Sequence, residues 1–293
     1  MTEIGEGRCQ RVALVTDSSA CLPDDQVLAH KITVVPIVLV WDGQELRDGV
    51  DISNEDFWCR LARDPTVPST STVSPRAYVS AFSEARKIGD SVICAVIPRR
   101  LSSMGDAARL AVHLDKDDCD VGVIETSAAA MAHGFPVLLG ARAASAGADA
   151  GHVEGVVRCA VDASAIVAVL DSLDYLARSG RIPSLSVRMA NLVPSSIVFS
   201  MRRGSMRERP SFGSRARAIR GMITPVRRAA TKSNYLGVAV HHAANVSEGH
   251  ELAELVRKEL RPDDLFVTGF TPVMGAHVGP DLIGLSYCTR RDA

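Results

Sequence analysis

VALVTDSSACLP, residues 12–23, runs a short Val-rich apolar segment directly into a polar cluster that opens toward a helix. An apolar run of five residues is too short for a buried helix and fits a strand covered on both faces. The TDSS that follows supplies a carboxylate and hydroxyls, which can hold loop amides and cap a helix starting near Pro23. The same unit recurs along the chain. ITVVPIVLV (32–40), SVICAVI (91–97), DVGVI (120–124), AIVAVL (165–170), LGVAV (236–240) and LFVTGF (265–270) read as further buried strands. Helical patterns lie between them: Ser53 precedes NEDFWCRLAR, Ser74 and Pro75 open PRAYVSAFSEARK, and 246–260 carries Leu252, Leu255, Val256 and Leu260 along one stripe. Strand and helix in alternation predict an α/β fold with largely parallel sheets flanked by helices. Hairpin turns are expected at Asp42-Gly43 and around Gly204. A Gly/Ala-rich segment at 143–152 sets a soft boundary near 160, giving an N-terminal lobe (1–160) and a C-terminal lobe (161–293) with a ligand cleft between them.

The 293 residues, 46% of them apolar and 23% charged, suffice to bury real cores. A formal net charge of -1 gives no overall pull toward nucleic acid or an anionic membrane. One local asymmetry stands out: nine arginines, among them Arg202, Arg203 and Arg207, lie between 202 and 228 with Glu208 alone against them. The seven cysteines are scattered and never form C-x-x-C, which argues against a disulfide framework and a structural zinc site and fits a reducing cytoplasm. No secretory h-region and no apolar run of ~18 residues is present, so a soluble cytoplasmic protein with at most transient membrane contact is expected. The chain has no G-x-x-x-x-G-K-[ST], no G-x-G-x-x-G after a strand, no H-E-x-x-H and no G-x-S-x-G. No metal and no cofactor are therefore expected, and any ATP must come with a partner.

Four segments carry a joint signal: TDSSACLP (16–23), TSTVSP (70–75), YLARSGRIPS (175–184) and GAHVGP (275–280). With ITVVPI (32–37), RDGVDIS (47–53) and L-S-S-M (101–104), which follow in the same order, the chain resembles the DegV family from about residue 12 onward. The resemblance implies a bacterial two-domain carrier that holds a long-chain fatty acid and presents its carboxylate to a separate ATP-binding fatty acid kinase, which makes acyl phosphate. It places the head-group contacts on Thr70, Ser71, Ser102, Arg181 and His277, with no catalytic residue of the carrier's own. The chemistry is coherent, because a carboxylate taken out of water needs several donors and preferably a fixed positive charge. Short hydroxyls supply the neutral donors, Arg181 the counter-charge, and His277 a donor that titrates near neutrality.

Other readings stand beside these. PSTSTVSP (68–75) also reads as a linker, Ser102 as a helix cap, Arg181 as an ion-pair partner of Asp171 or Asp174, and His277 as a loop histidine between Gly275 and Gly279. The arginine-rich stretch is either a solvated face or, through Arg202, Arg203 and Arg207, a docking surface for an acidic partner. Two further functions compete: an acyl hydrolase or transferase using Ser102 or Ser71 with His277, and a nucleic-acid-binding regulator.

Overall fold

The computed structural model describes residues 11–64, 66–115, 120–180, 196–211 and 213–290. The first half runs β1 (Val12–Asp17), a 3-10 turn (Ser18–Ala20), α1 (Asp24–Ala29), β2 (Thr33–Val35), β3 (Val38–Trp41), β4 (Gln44–Arg47), α2 (Asn54–Leu61), β5 (Ser69–Ser71), α3 (Pro75–Arg86), β6 (Ser91–Val96), α4 (Met104–Leu114), β7 (Val121–Glu125), α5 (Met131–Ser145) and α6 (Ala150–Ala163). The second half runs β8 (Ser164–Leu170), α7 (Asp174–Arg178), β9 (Ser196–Arg202), β10 (Ser205–Ser211), α8 (Arg215–Gly221), α9 (Ile223–Ala230), β11 (Tyr235–His242), α10 (Val246–Leu260), β12 (Asp264–Gly269), α11 (Pro272–Val278) and β13 (Ile283–Arg290).

These strands form a four-stranded sheet in the order β2-β1-β6-β7, a three-stranded sheet β4-β3-β5 and a six-stranded sheet β10-β9-β8-β13-β11-β12. The four-stranded sheet is wholly parallel, as the strand and helix alternation predicts. In the six-stranded sheet only β11 and β12 run parallel. The reason is connectivity: β9 and β10 are joined by a two-residue turn, which permits only antiparallel pairing, and β13 inserts antiparallel between β8 and β11. The result is a mixed α/β fold of two lobes.

ITVVPIVLV is two strands rather than one. Pro36 has no amide to give a ladder, so the chain leaves the parallel sheet after Val35 and enters the small antiparallel sheet at Val38. Both expected hairpin turns form, with Asp42 and Gly43 at φ 51° and 77° and Arg203 and Gly204 at 49° and 69°. STS of PSTSTVSP is neither linker nor free loop: it is β5, which pairs Val38–Val40 of β3.

Candidate functional site

A narrow cavity of about 80 Å³ lies between the two lobes. One wall is β8, where strict alternation turns Ile166, Ala168 and Leu170 inward, continued by Phe199 and Met201 of β9 and Met206 of β10. Phe270, Met274 and Leu282 add to this apolar surface. Among the described residues the polar side chains lining the cavity are Ser19, Thr70, Ser102 and His277. Thr70, Ser102 and His277 are partly exposed, whereas the β8 wall and Ser19 are buried. Three of the four polar lining side chains thus lie toward solvent, and the β8 wall is apolar.

Thr70 stands on β5 and its Oγ1 lies 3.0 Å from Nε2 of His277, a hydrogen bond that joins residues 207 positions apart. His277 sits in the last turn of α11, not on a loop. Two glycines set that helix in place. A Cβ on Gly275 would come within 2.5 Å of the Phe57 ring, and one on Gly279 within 2.5 Å of the Tyr175 ring. Gly279 also ends the helix at φ 76° and ψ -179°, a conformation essentially reserved for glycine. At the other end of α11, Thr271 holds the N-cap position and the Val273 amide donates to Oδ1 of Asp48 at 3.3 Å. Burial pushes the Asp48 carboxyl up to about 6. RDG (47–49) therefore tethers the helix that carries His277.

TDSS performs a structural task, though not the expected cap at Pro23. Asp17 caps the 3-10 turn, accepting from the Ser19 amide at 3.1 Å and from the Ser19 hydroxyl, while its Oδ2 takes the Ile97 amide at 3.0 Å. Ser18 Oγ accepts the Ile37 amide at 3.1 Å. α1 starts after Pro23 with no side-chain cap. Since Ile37 and Ile97 both line the cavity, these four residues fix its walls. Behind Ser19 lies His133, fully buried, 3.3 Å from Ser19 Oγ through Nδ1 and 2.9 Å from Thr16 Oγ1 through Nε2. Desolvation lowers its pKa, so the ring is neutral.

The expected site residues fare unequally. Thr70, Ser102 and His277 converge on the cavity. Ser71, one residue on from Thr70 in β5, is exposed and outside the lining; its hydroxyl reaches the Thr72 carbonyl at 3.4 Å. Neighbouring strand residues face opposite sides, which is why only one of the pair points inward. Ser102 is not the cap of α4, since Ser103 occupies that position without a side-chain bond. Arg181 lies outside the described residues. Its suggested ion-pair partner Asp171 is taken by Arg215 at 2.8 Å and by the Ser196 hydroxyl. The Nε2 of His277 meets Thr70 rather than Ser71 or Ser102, the serines of the hydrolase reading. Ser19, His133 and Asp17 have the composition of a triad with the wrong wiring: the serine proton goes to the aspartate, and Asp17 stands 3.9 Å from His133. Sequence reasoning missed Ser19 as a lining residue, although its place next to the Asp17 cap was visible in TDSS.

Residues 11–290 match the family described as "Uncharacterised protein, DegV family". The chain belongs to the DegV family. A DegV domain-containing protein of Mycobacterium tuberculosis is 31% identical over 278 residues, covering 94% of this chain and 96% of that one. Another from Clostridium perfringens is 26% identical over 283 residues, with 94% and 98% covered. A DegV family protein from Thermus thermophilus, reported for its fatty acid binding, superposes with a TM-score of 0.86 at 22% identity over 95% of this chain and 99% of its own. A stearic acid-binding protein from Eubacterium ventriosum gives 0.86 at 23% identity, with 95% and 98% covered. These likenesses establish the DegV fold. Among the described residues no helix is long and apolar enough to cross a membrane, and no cluster of three or more potential metal ligands occurs.

Proposed function

We propose that this DegV protein holds a long-chain fatty acid, tail in the apolar cavity and carboxylate at its mouth, and presents that carboxylate to a separate ATP-dependent fatty acid kinase for conversion to acyl phosphate. The observation that carries the reading is the polarity gradient of the cavity, in which the partly exposed lining side chains Thr70, Ser102 and His277 stand in front of a wall with no polar side chain on β8. The fatty acid binding of the Thermus and Eubacterium relatives supports it. Arg181 is assigned the counter-charge on the family resemblance, and the protein itself supplies position rather than chemistry.

Magnitudes divide the work. Each buried CH₂ contributes about 0.8 kcal/mol, so a long tail has a ceiling above ~10 kcal/mol, against ~1.5–3 kcal/mol for a charge-assisted hydrogen bond at the head. Tail burial sets affinity and the head group sets orientation. Thr70→Ala and Ser102→Ala should accordingly lower acyl-phosphate formation by roughly tenfold or more, while leaving most of the bound acid in place. Acyl phosphate from a purified kinase and acid retained through gel filtration measure the two effects. Loss of the acid with the kinase step at the wild-type rate would contradict the reading. In the same assay, reversing Arg202, Arg203 and Arg207 to Glu should weaken the kinase partner's binding without changing lipid content, because these arginines are proposed to dock it; unaltered binding would remove that element.

A further inference from the structure

The six-stranded sheet has a second concave feature on the face turned away from the cavity. Along β9, Phe199 faces the fatty acid cavity, while Val198, Ser200 and Arg202 line a groove of about 870 Å³ behind it. The β9–β10 hairpin forms one wall and α8 and α9 the other. Six arginines line it: Arg202, Arg203, Arg207 and Arg209 from the hairpin, Arg217 and Arg228 from the helices. All six are exposed, and none makes an ion pair among the described residues. Among the described residues no carboxylate lines the groove. Glu208, which separates Arg207 from Arg209 in sequence, falls on the other face of β10 with Met206, a cavity residue.

The arrangement is selective. Arg215 and Arg227 belong to the same two helices, yet Arg215 meets Glu248 at 3.0 Å and Asp171 at 2.8 Å, and Arg227 meets Glu259. Acids thus sit against two of the three helix arginines outside the groove, Arg220 being the exception, and are absent among the groove's described lining residues, where six like charges repel one another unless an anion enters. The wall is also held rigid at a conformational cost. Arg203 adopts φ 49° in a turn position that favours Asn, Asp or Gly, and the next amide, Gly204, donates to the Ser127 carbonyl of the other lobe at 2.9 Å. Hydroxyls of Ser205, Ser211 and Thr224 stand among the guanidinium groups. Arginine forks matched with short hydroxyls suit phosphate oxygens, and a concave volume of this size suits a small ligand better than the convex surface of a folded protein.

We propose that this groove is a binding site for a small ligand carrying two or more phosphate groups, separate from the fatty acid cavity and on the opposite face of its β8–β9 wall. The inference goes beyond the carrier reading and does not depend on it. Arg209, Arg217 and Arg228, which play no part in the proposed kinase docking, are the residues that test it. Inorganic tripolyphosphate is titrated calorimetrically into the full chain at 50 and 200 mM salt, beside vesicles of anionic phospholipid. The expected result is one saturable tripolyphosphate site, weaker at the higher salt, with affinity reduced at least about tenfold in Arg209→Gln/Arg217→Gln and in Arg228→Gln but unchanged in Arg76→Gln, an exposed arginine on α3. Circular dichroism and thermal unfolding confirm that each variant is folded. Absence of binding, equal binding by all variants, or binding confined to the vesicles would each overturn the proposal, the last in favour of a membrane surface.

Discussion

Ala168→Leu puts the tail assignment to a quantitative test. Ala168 is fully buried at the centre of β8, between Ile166 and Leu170 on the cavity wall, so a larger side chain there must project into the space assigned to the tail. Leucine adds about three methylene-sized groups and should displace about three CH₂ of the ligand, at ~0.8 kcal/mol each. The loss is about 2.4 kcal/mol, or roughly sixtyfold in Kd, for any acid long enough to reach Ala168. Shorter acids never touch the new side chain and should bind as before. The assay is displacement of a fluorescent fatty acid by a series of saturated acids of increasing length. Wild-type affinity should climb with length, and the variant's should stop climbing about three carbons earlier. A uniform loss across the series, or no loss at any length, would refute the placement of the tail along β8.

Two further predictions concern the support of His277. Gly279→Ala should destabilise the fold by about 2–6 kcal/mol, combining a glycine-only backbone conformation at ~1–3 kcal/mol with a Cβ driven into Tyr175 at ~1–3 kcal/mol. Gly43→Ala, at φ 77° in a hairpin turn and with nothing within 4 Å, should cost less on both counts, and denaturant unfolding of the two variants should separate them; a loss in Gly279→Ala no larger than in Gly43→Ala would contradict the argument. Asp48 gives a pH signature. Its folded pKa of about 6 lies above the model-peptide value near 3.8, so the folded state binds the extra proton and this stability is lost as pH rises from about 4 through 6. Asp48→Asn should therefore be more stable than wild type at pH 7.5 by up to about 3 kcal/mol, with the gap closing near pH 4; a gap that is independent of pH would contradict the burial argument.

Much of the fold was legible because its central strands are short, apolar and bounded by capping or turn residues. VALVT and SVICAVI became β1 and β6, buried along their length. β13 was not legible: Gly284 and Ser286 interrupt its apolar run, yet Ile283–Cys288 are buried, because the strand lies inside the sheet between β8 and β11 with α5 and α6 packed on it. That hidden strand is also why the second sheet departs from the parallel expectation. At the cavity, Thr70, Ser102 and His277 had been named through the resemblance of their motifs to the DegV family, and all three stand on its lining. That STS is a strand was not legible: β3 pairs it, and alternation then turns the Thr70 side chain inward and the Ser71 side chain outward. The apolar wall was invisible, as nothing in the sequence distinguishes Ile166, Ala168 and Leu170 from ordinary core.

The central claim is tested most directly on the protein as purified from a bacterial host without added lipid, by native mass spectrometry of the intact chain followed by denaturing extraction and analysis of the released acids. The account predicts one long-chain fatty acid per chain, retained through purification and recovered in the extract. A ligand-free mass, together with no uptake when a series of long-chain acids is added, would leave the DegV fold standing and contradict the function proposed for its cavity.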